Sequence, residues 1–163
     1  MLKRVNHTLK PIYNKESKIL ILGSIPSIKS RHYGFYYTHP QNKFWQVLSI
    51  VYNKNIGKSN EDKKQFLLDN KIALWDVIKS CDIKNSSDAS IKNIEVNDIN
   101  SLILKTNIKK VYTAGKKAYD LYNKYCLEQT NIKAKYLPST SPANIGNYNL
   151  EELVNEYKQL IQS

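Results

Sequence analysis

Lys18-Ile19-Leu20-Ile21-Leu22-Gly23-Ser24-Ile25-Pro26-Ser27 decides the architecture. An apolar run that empties at once into Gly and Pro reads as a buried strand followed by a tight, stiffened loop. Working outward, residues 72–76, 109–114 and 134–137 repeat the short apolar pattern. Helical periodicity fills the spaces between. Phe44, Val47, Leu48 and Val51 recur at i, i+3, i+4 and i+7, and further helices are expected over 60–69, 97–105, 116–128 and 150–161. Strands alternating with helices need crossover connections, which predicts a four-stranded parallel sheet flanked by helices, a three-layer α/β sandwich. Ligands of such sheets bind outside the carboxyl ends of the strands. Chemistry is therefore to be sought after Leu22, Asp76, Ala114 and Leu137.

The bulk properties narrow the class. The 163 residues are 41% hydrophobic and 24% charged, with five Gly and five Pro, which predicts one globular domain over 1–163. The longest purely apolar run, 19–22, is far short of the roughly 20 residues of a membrane helix. No secretory pattern follows the N-terminal cations, so a cytoplasmic protein without a membrane partner is expected. Cys81 and Cys126 are widely separated and read as reduced thiols. His7, His32 and His39 lack ligand spacing, so no metal or other cofactor is expected. Twenty-five Lys and Arg against fourteen Asp and Glu leave +11, an excess that suits a polyanion as well as a Lys-rich composition.

Two loops fall on the predicted carboxyl edge. In the first, Gly23 permits close backbone approach, while Ser24 and Ser27 can cap a helix or touch a phosphate. It is not a phosphate-gripping P-loop. Gly57-Lys58-Ser59 imitates the end of that motif, but Tyr52 stands where its first glycine belongs. Tyr33, Phe35, Tyr36 and Tyr37 crowd together beside Arg31, His32 and Lys43, a mixture suited to base stacking. Phe44 and Trp45 read as core at a helix start, and Asn42 just before them has helix capping as its ordinary role. In the second loop, Ser139, Thr140 and Ser141 lie between Pro138 and Pro142, a rigid set of short donors suited to a phosphodiester or to a solvated turn.

Three blocks carry a family resemblance: Gly23-Ser24-x-Pro26-Ser27-x-x-Ser30, Gly34-Phe35-Tyr36-Tyr37-x-x-Pro40-x-Asn42-x-Phe44-Trp45, and Ser139-Thr140-Ser141-Pro142-Ala143-Asn144. With 74–78, Ser80-Cys81 and the opening His7-x-Leu9-x-Pro11-Ile12, the chain resembles the hypoxanthine-DNA (deoxyinosine) glycosylases of the uracil-DNA glycosylase superfamily. The resemblance implies a metal-free hydrolysis of the N-glycosidic bond of a damaged base flipped out of DNA, by an enzyme expected to act as a monomer. It implies that Gly23, Ser24, Ile25, Pro26 and Ser27 approach the sugar and base. Tyr37 would stack on the base and Asp88 would keep an acidic position. Ser30, Ser139, Thr140, Ser141, Pro142 and Asn144 would hold the DNA strand. Related mismatch-specific uracil/thymine glycosylases carry an Asn where Ile25 stands. Isoleucine cannot orient water, so the expected catalytic residue becomes Asn42, positioning water or contacting the base. Three activities follow for testing: hypoxanthine removal, uracil or mismatch removal, and non-catalytic nucleic-acid binding on the same fold.

Overall fold

The computed structural model describes residues 1–85, 87–142 and 147–162. Four strands form the expected parallel sheet: β2 (Ile19–Gly23), β3 (Ile72–Asp76), β6 (Lys110–Ala114) and β7 (Ala134–Leu137), in spatial order β3-β2-β6-β7. Their chain order reverses direction between β2 and β6, which is where a crevice opens in sheets of this kind. Nearly every β2 side chain is buried, as both faces of a parallel sheet require. One face packs on α2 (Phe44–Tyr52), α3 (Asn60–Asp69) and α7 (Leu150–Tyr157), with Ile21, Phe44, Leu48, Leu67, Leu74, Tyr112 and Tyr157 at its centre. The other face, carrying Leu20, Leu22, Ala73 and Val111, is covered by α4 (Ile99–Leu104), α5 (Lys116–Tyr125) and α6 (Leu127–Thr130).

Several boundaries differ from the sequence reading. The helix expected over 116–128 breaks at Cys126, whose backbone leaves the helical region before α6 begins. The helix expected from Asn97 starts instead at Ile99, capped by Asp98, whose carboxylate accepts from the Ser101 N–H. Asn97 is buried, and its amide donates to the carbonyls of Asp76 and Ile78. The C-terminal helix tightens to 3-10 geometry over Lys158–Ile161. Both cysteines are unpaired and buried.

A second, antiparallel sheet was not foreseen. It joins β1 (Lys3–Asn6), β4 (Ile78–Ile83) and β5 (Lys92–Val96) in the order β1-β4-β5. β1 and β5 are short, polar and largely exposed, while β4 is mostly buried but breaks its apolar residues with Lys79, Ser80 and Asp82, so the sheet carries little apolar signal. The two sheets meet at Val77. There the Val77 and Ile78 N–H groups donate to the carbonyls of Gly23 and Ser24, at 2.9 and 3.0 Å. The first loop is thereby anchored to the start of β4 by its backbone.

Candidate functional site

The first loop is shaped by a carboxylate beneath it. Gly23 closes β2 directly opposite Asp76, which closes β3. A Cβ on Gly23 would stand 2.4 Å from Asp76 Oδ1 and 3.3 Å from the Tyr37 hydroxyl, so glycine is required by space. Asp76 Oδ2 lies 2.8 Å from His7 Nε2, and both side chains are almost wholly buried. The His7 N–H also donates to the Lys79 carbonyl, continuing the β1–β4 ladder. Sequence reasoning assigned neither residue a role. A histidine and an aspartate 69 positions apart have no spacing signature. The available signal was an acidic residue ending an otherwise apolar strand on the ligand edge.

Beyond Gly23 the loop turns outward. Ser24 Oγ donates to Asp88 Oδ1 at 3.2 Å, which puts Asp88 beside the first loop. Desolvation lifts the Asp88 carboxyl above the ordinary carboxylate range, opposed by the Ser24 hydrogen bond and by Lys117. Ile25 packs partly buried against the α4–α5 side of the core, and Pro26 is buried. Ser27 takes the capping role: its hydroxyl accepts from the Ser30 N–H and starts α1 (Ile28–Tyr33), which ends in left-handed Gly34. Ser30 corrects the expectation of a DNA contact. It is 2% exposed, and its hydroxyl accepts from the Thr38 N–H and hydroxyl, tying α1 to the following turn.

The aromatic run is mainly scaffold. Phe35 stacks on Trp45, while Tyr36 is buried and donates to the Lys10 carbonyl; only Tyr33 is broadly exposed. These three do not form the exposed stacking surface suggested by the sequence. Tyr37 differs. Its backbone is left-handed at φ 54°, and one ring face lies 3.9 Å from Phe44, centroid to centroid. Its hydroxyl is buried near Gly23 with no hydrogen-bond partner among the described residues. Burial, and then the charges of Asp76 and Tyr157, push that phenol well above its usual range. A non-glycine residue held in this region costs about 1–3 kcal/mol and persists only where its surroundings impose it.

Asn42 joins the two loops. Its Oδ1 accepts from the Phe44 N–H at 2.9 Å and from Thr140 Oγ1 at 2.8 Å. The Lys43 N–H donates to the Thr140 carbonyl as well. Phe44 in turn stacks on Tyr37, whose hydroxyl lies near Gly23, so Asn42 is tied directly to the second loop and reaches the first only through Phe44 and Tyr37. Thr140 is buried, Ser139 Oγ accepts from the Ser141 N–H, and Ser139 packs against Gly115 at the end of β6. Ser141 and Pro142 are partly exposed at the rim. Asn144 lies outside the described residues. Among the described residues no group of three His, Cys, Asp or Glu is placed to hold a metal, and no helix is long and apolar enough to cross a membrane.

The comparisons agree with this geometry. The uracil DNA glycosylase superfamily matches residues 10–162. The chain belongs to that superfamily. A hypoxanthine DNA glycosylase of Methanosarcina barkeri is 34% identical over 136 residues, covering 82% of this chain and 85% of the relative. A second, from Methanosarcina acetivorans, is 33% identical over 135 residues, covering 82% and 84%. The solution structure of a candidate uracil DNA glycosylase from Methanosarcina acetivorans superposes with a TM-score of 0.81 at 29% identity, covering 99% of this chain and 100% of that one. The carboxyl-edge loops 23–27 and 138–142 bound the candidate site of this fold.

Proposed function

We propose that the protein is a monofunctional DNA N-glycosylase that removes hypoxanthine from deoxyinosine, acting as a cytoplasmic monomer built from one domain. The observation that carries this reading is the attachment of Asn42. The Phe44 N–H fixes which end of the amide is oxygen, and that oxygen also accepts from Thr140. Among the described residues, the NH2 group is what Asn42 has left to offer. It suits donation to a base carbonyl better than the orienting of a water molecule. Hypoxanthine presents O6 and N7 as acceptors, whereas adenine presents an amino group at the same place and would meet a donor with a donor. Ile25, in the loop beneath, supplies no hydrogen bond to a water. The two relatives named as hypoxanthine DNA glycosylases support the same substrate.

In the proposed reaction the nucleotide leaves the stack and enters between the two loops. The backbone of Gly23, Ser24, Ile25, Pro26 and Ser27 lies along the sugar, and the Tyr37 ring faces the base. The C1′–N9 bond breaks with its electron pair leaving on the base, water oxygen bonds to C1′, and the proton that water loses ends on the released base, through solvent. Asn42 NH2 stabilises the charge that collects on the departing ring. A preorganised donor of this sort is worth about 10²–10³ in rate. Asp88 holds Ser24 in place, and Ser139, Ser141 and Pro142 line the strand.

A duplex carrying deoxyinosine, deoxyuridine or deoxyadenosine at one position, treated with the protein and then alkali, tests the reading. Cleavage is expected at deoxyinosine. Cleavage at deoxyuridine alone would replace it with uracil removal, and binding without any abasic product would reduce the protein to a binding domain. Asn42→Ala is expected to lower single-turnover cleavage by 10²-fold or more, on the order given above, while duplex binding stays near wild type. A variant that cleaves at the wild-type rate refutes the role of Asn42.

A further inference from the structure

Two arginines flank the antiparallel sheet, and their surroundings are opposite. Arg4 is saturated: it donates to the Asn93 carbonyl, Ser80 Oγ, Asp82 and Glu95. Arg31, on α1, makes none of these. Its Nη1 is buried without a hydrogen-bond partner among the described residues. It forms part of the wall of a cavity of about 250 Å³, together with Met1, Lys3, Val5, Ile28, Ile83 and Asn85. Among the described residues, no carboxylate lines that cavity. A buried donor without a partner costs about 1–3 kcal/mol, so nothing in the protein chain neutralises or fixes this end of the guanidinium. The ligand chemistry follows from the lining: an anion, because the polar groups are a guanidinium, an ammonium and an amide against apolar walls that strengthen charge interactions.

The cavity adjoins the candidate site from two directions. Ile28 and Arg31 belong to the helix that Ser27 caps. Asn85 precedes by three residues the Asp88 that holds Ser24. Arg31 lies four residues beyond Ser27, about 6 Å along a helix axis, which is under two base steps at about 3.4 Å per step.

We propose that this cavity is an anion subsite that takes a backbone phosphodiester flanking the flipped nucleotide, with Arg31 as its forked donor and Lys3 at its edge. The proposal rests on the reading of the protein as a DNA glycosylase. Guanidinium geometry matches two phosphate oxygens at once, which a lysine in the same place would not.

The test pairs stability with the salt dependence of binding to an undamaged fluorescent duplex, measured by anisotropy on the full chain. Arg31→Met removes the charge and keeps much of the apolar bulk. Its melting temperature is expected to equal or exceed that of wild type, since a donor without a protein acceptor is gone from a partly buried side chain. The slope of log K against log[salt] is expected to fall by about 0.9, the value for one duplex phosphate. Lys18→Gln, at the opposite end of β2, is the control and should keep the wild-type slope. Should Arg31→Met fold poorly, Lys3→Gln at the rim is expected to lower the slope in the same direction. An unchanged slope in the Arg31 and Lys3 variants overturns the proposal, as does a melting temperature that falls while the slope holds. Inorganic phosphate at matched ionic strength separates the anion sources. If it raises the wild-type melting temperature while Arg31→Met keeps the wild-type DNA slope, the cavity takes free anions and the DNA assignment is lost. Because the readout is binding, a lower slope in a protein that makes no abasic product would sink the enzymatic reading and leave the subsite standing.

Discussion

Asp76 and Asp88 stand on opposite sides of the first loop and illustrate two uses of one functional group. Asp76 is buried at the end of β3, hydrogen-bonded to an equally buried His7 and pressed against the space a Gly23 side chain would occupy. Asp88 sits on an exposed 3-10 turn, Asp88–Ser90, and reaches the loop through the hydrogen bond from Ser24. Burial makes the first an architectural constraint: it cannot move without rebuilding the strand ends. Exposure makes the second adjustable. The floor of the site is therefore rigid, and its outer wall is the part that can answer to a substrate.

The sharpest way to break this comparison is to remove His7. His7→Ala leaves the Asp76 carboxyl buried without its partner, and a loss of about 3 kcal/mol is expected, or roughly 6–12 °C in melting temperature for a chain of this size. A change below 1 °C would mean that Asp76 is held by something other than His7. Next in size comes Gly23→Ala. A methyl placed 2.4 Å from Asp76 Oδ1 forces the carboxyl or the loop to shift, at about 1–3 kcal/mol. The pair should be coupled. With His7 gone, Asp76 is free to swing aside, so Gly23→Ala should cost about 1 kcal/mol less in the His7→Ala background. Strict additivity in chemical denaturation of the four proteins would show that the histidine does not pin the carboxylate.

The same contrast explains what could be read in the sequence. The parallel sheet was legible because 19–22 and 72–76 are buried at all but one position each, and burial on both faces writes itself as near-continuous apolar runs. The antiparallel sheet was not, because Lys3-Arg4-Val5-Asn6 and Lys92-Asn93-Ile94-Glu95-Val96 are held by cross-strand polar contacts such as Arg4 to Glu95, which leave no periodic trace. The site divides in the same way. Asn42 and Thr140 were found as loop residues on the expected edge, yet their hydrogen bond spans 98 positions and no local pattern announces it. Ser30 was read as a contact because its spacing fits a motif. Its burial depends on Thr38, whose approach is set by the turn after α1. His7 was invisible as a partner of Asp76 because β1 itself was unforeseen.

The smallest expected effect belongs to Asp88, and its sign distinguishes it from Asp76. Desolvation raises the folded carboxyl above its ordinary value of 3.8, so folding favours the protonated form. That contribution is fully present below the unfolded value and is lost as pH rises through the folded one. At neutral pH the ionised Asp88 is therefore a net cost to folding. Asp88→Asn keeps an acceptor for Ser24 and removes the charge, so it should raise the melting temperature at pH 7. The residue is exposed, which limits the gain to below about 1 kcal/mol, or roughly 1–3 °C. The advantage should shrink as pH falls and vanish near pH 3, where the aspartate is itself neutral. A variant that melts lower than wild type at pH 7 would mean that Ser24 and Lys117 outweigh desolvation. Asp88 would then be a fixed strut like Asp76, and the outer wall of the site as rigid as its floor.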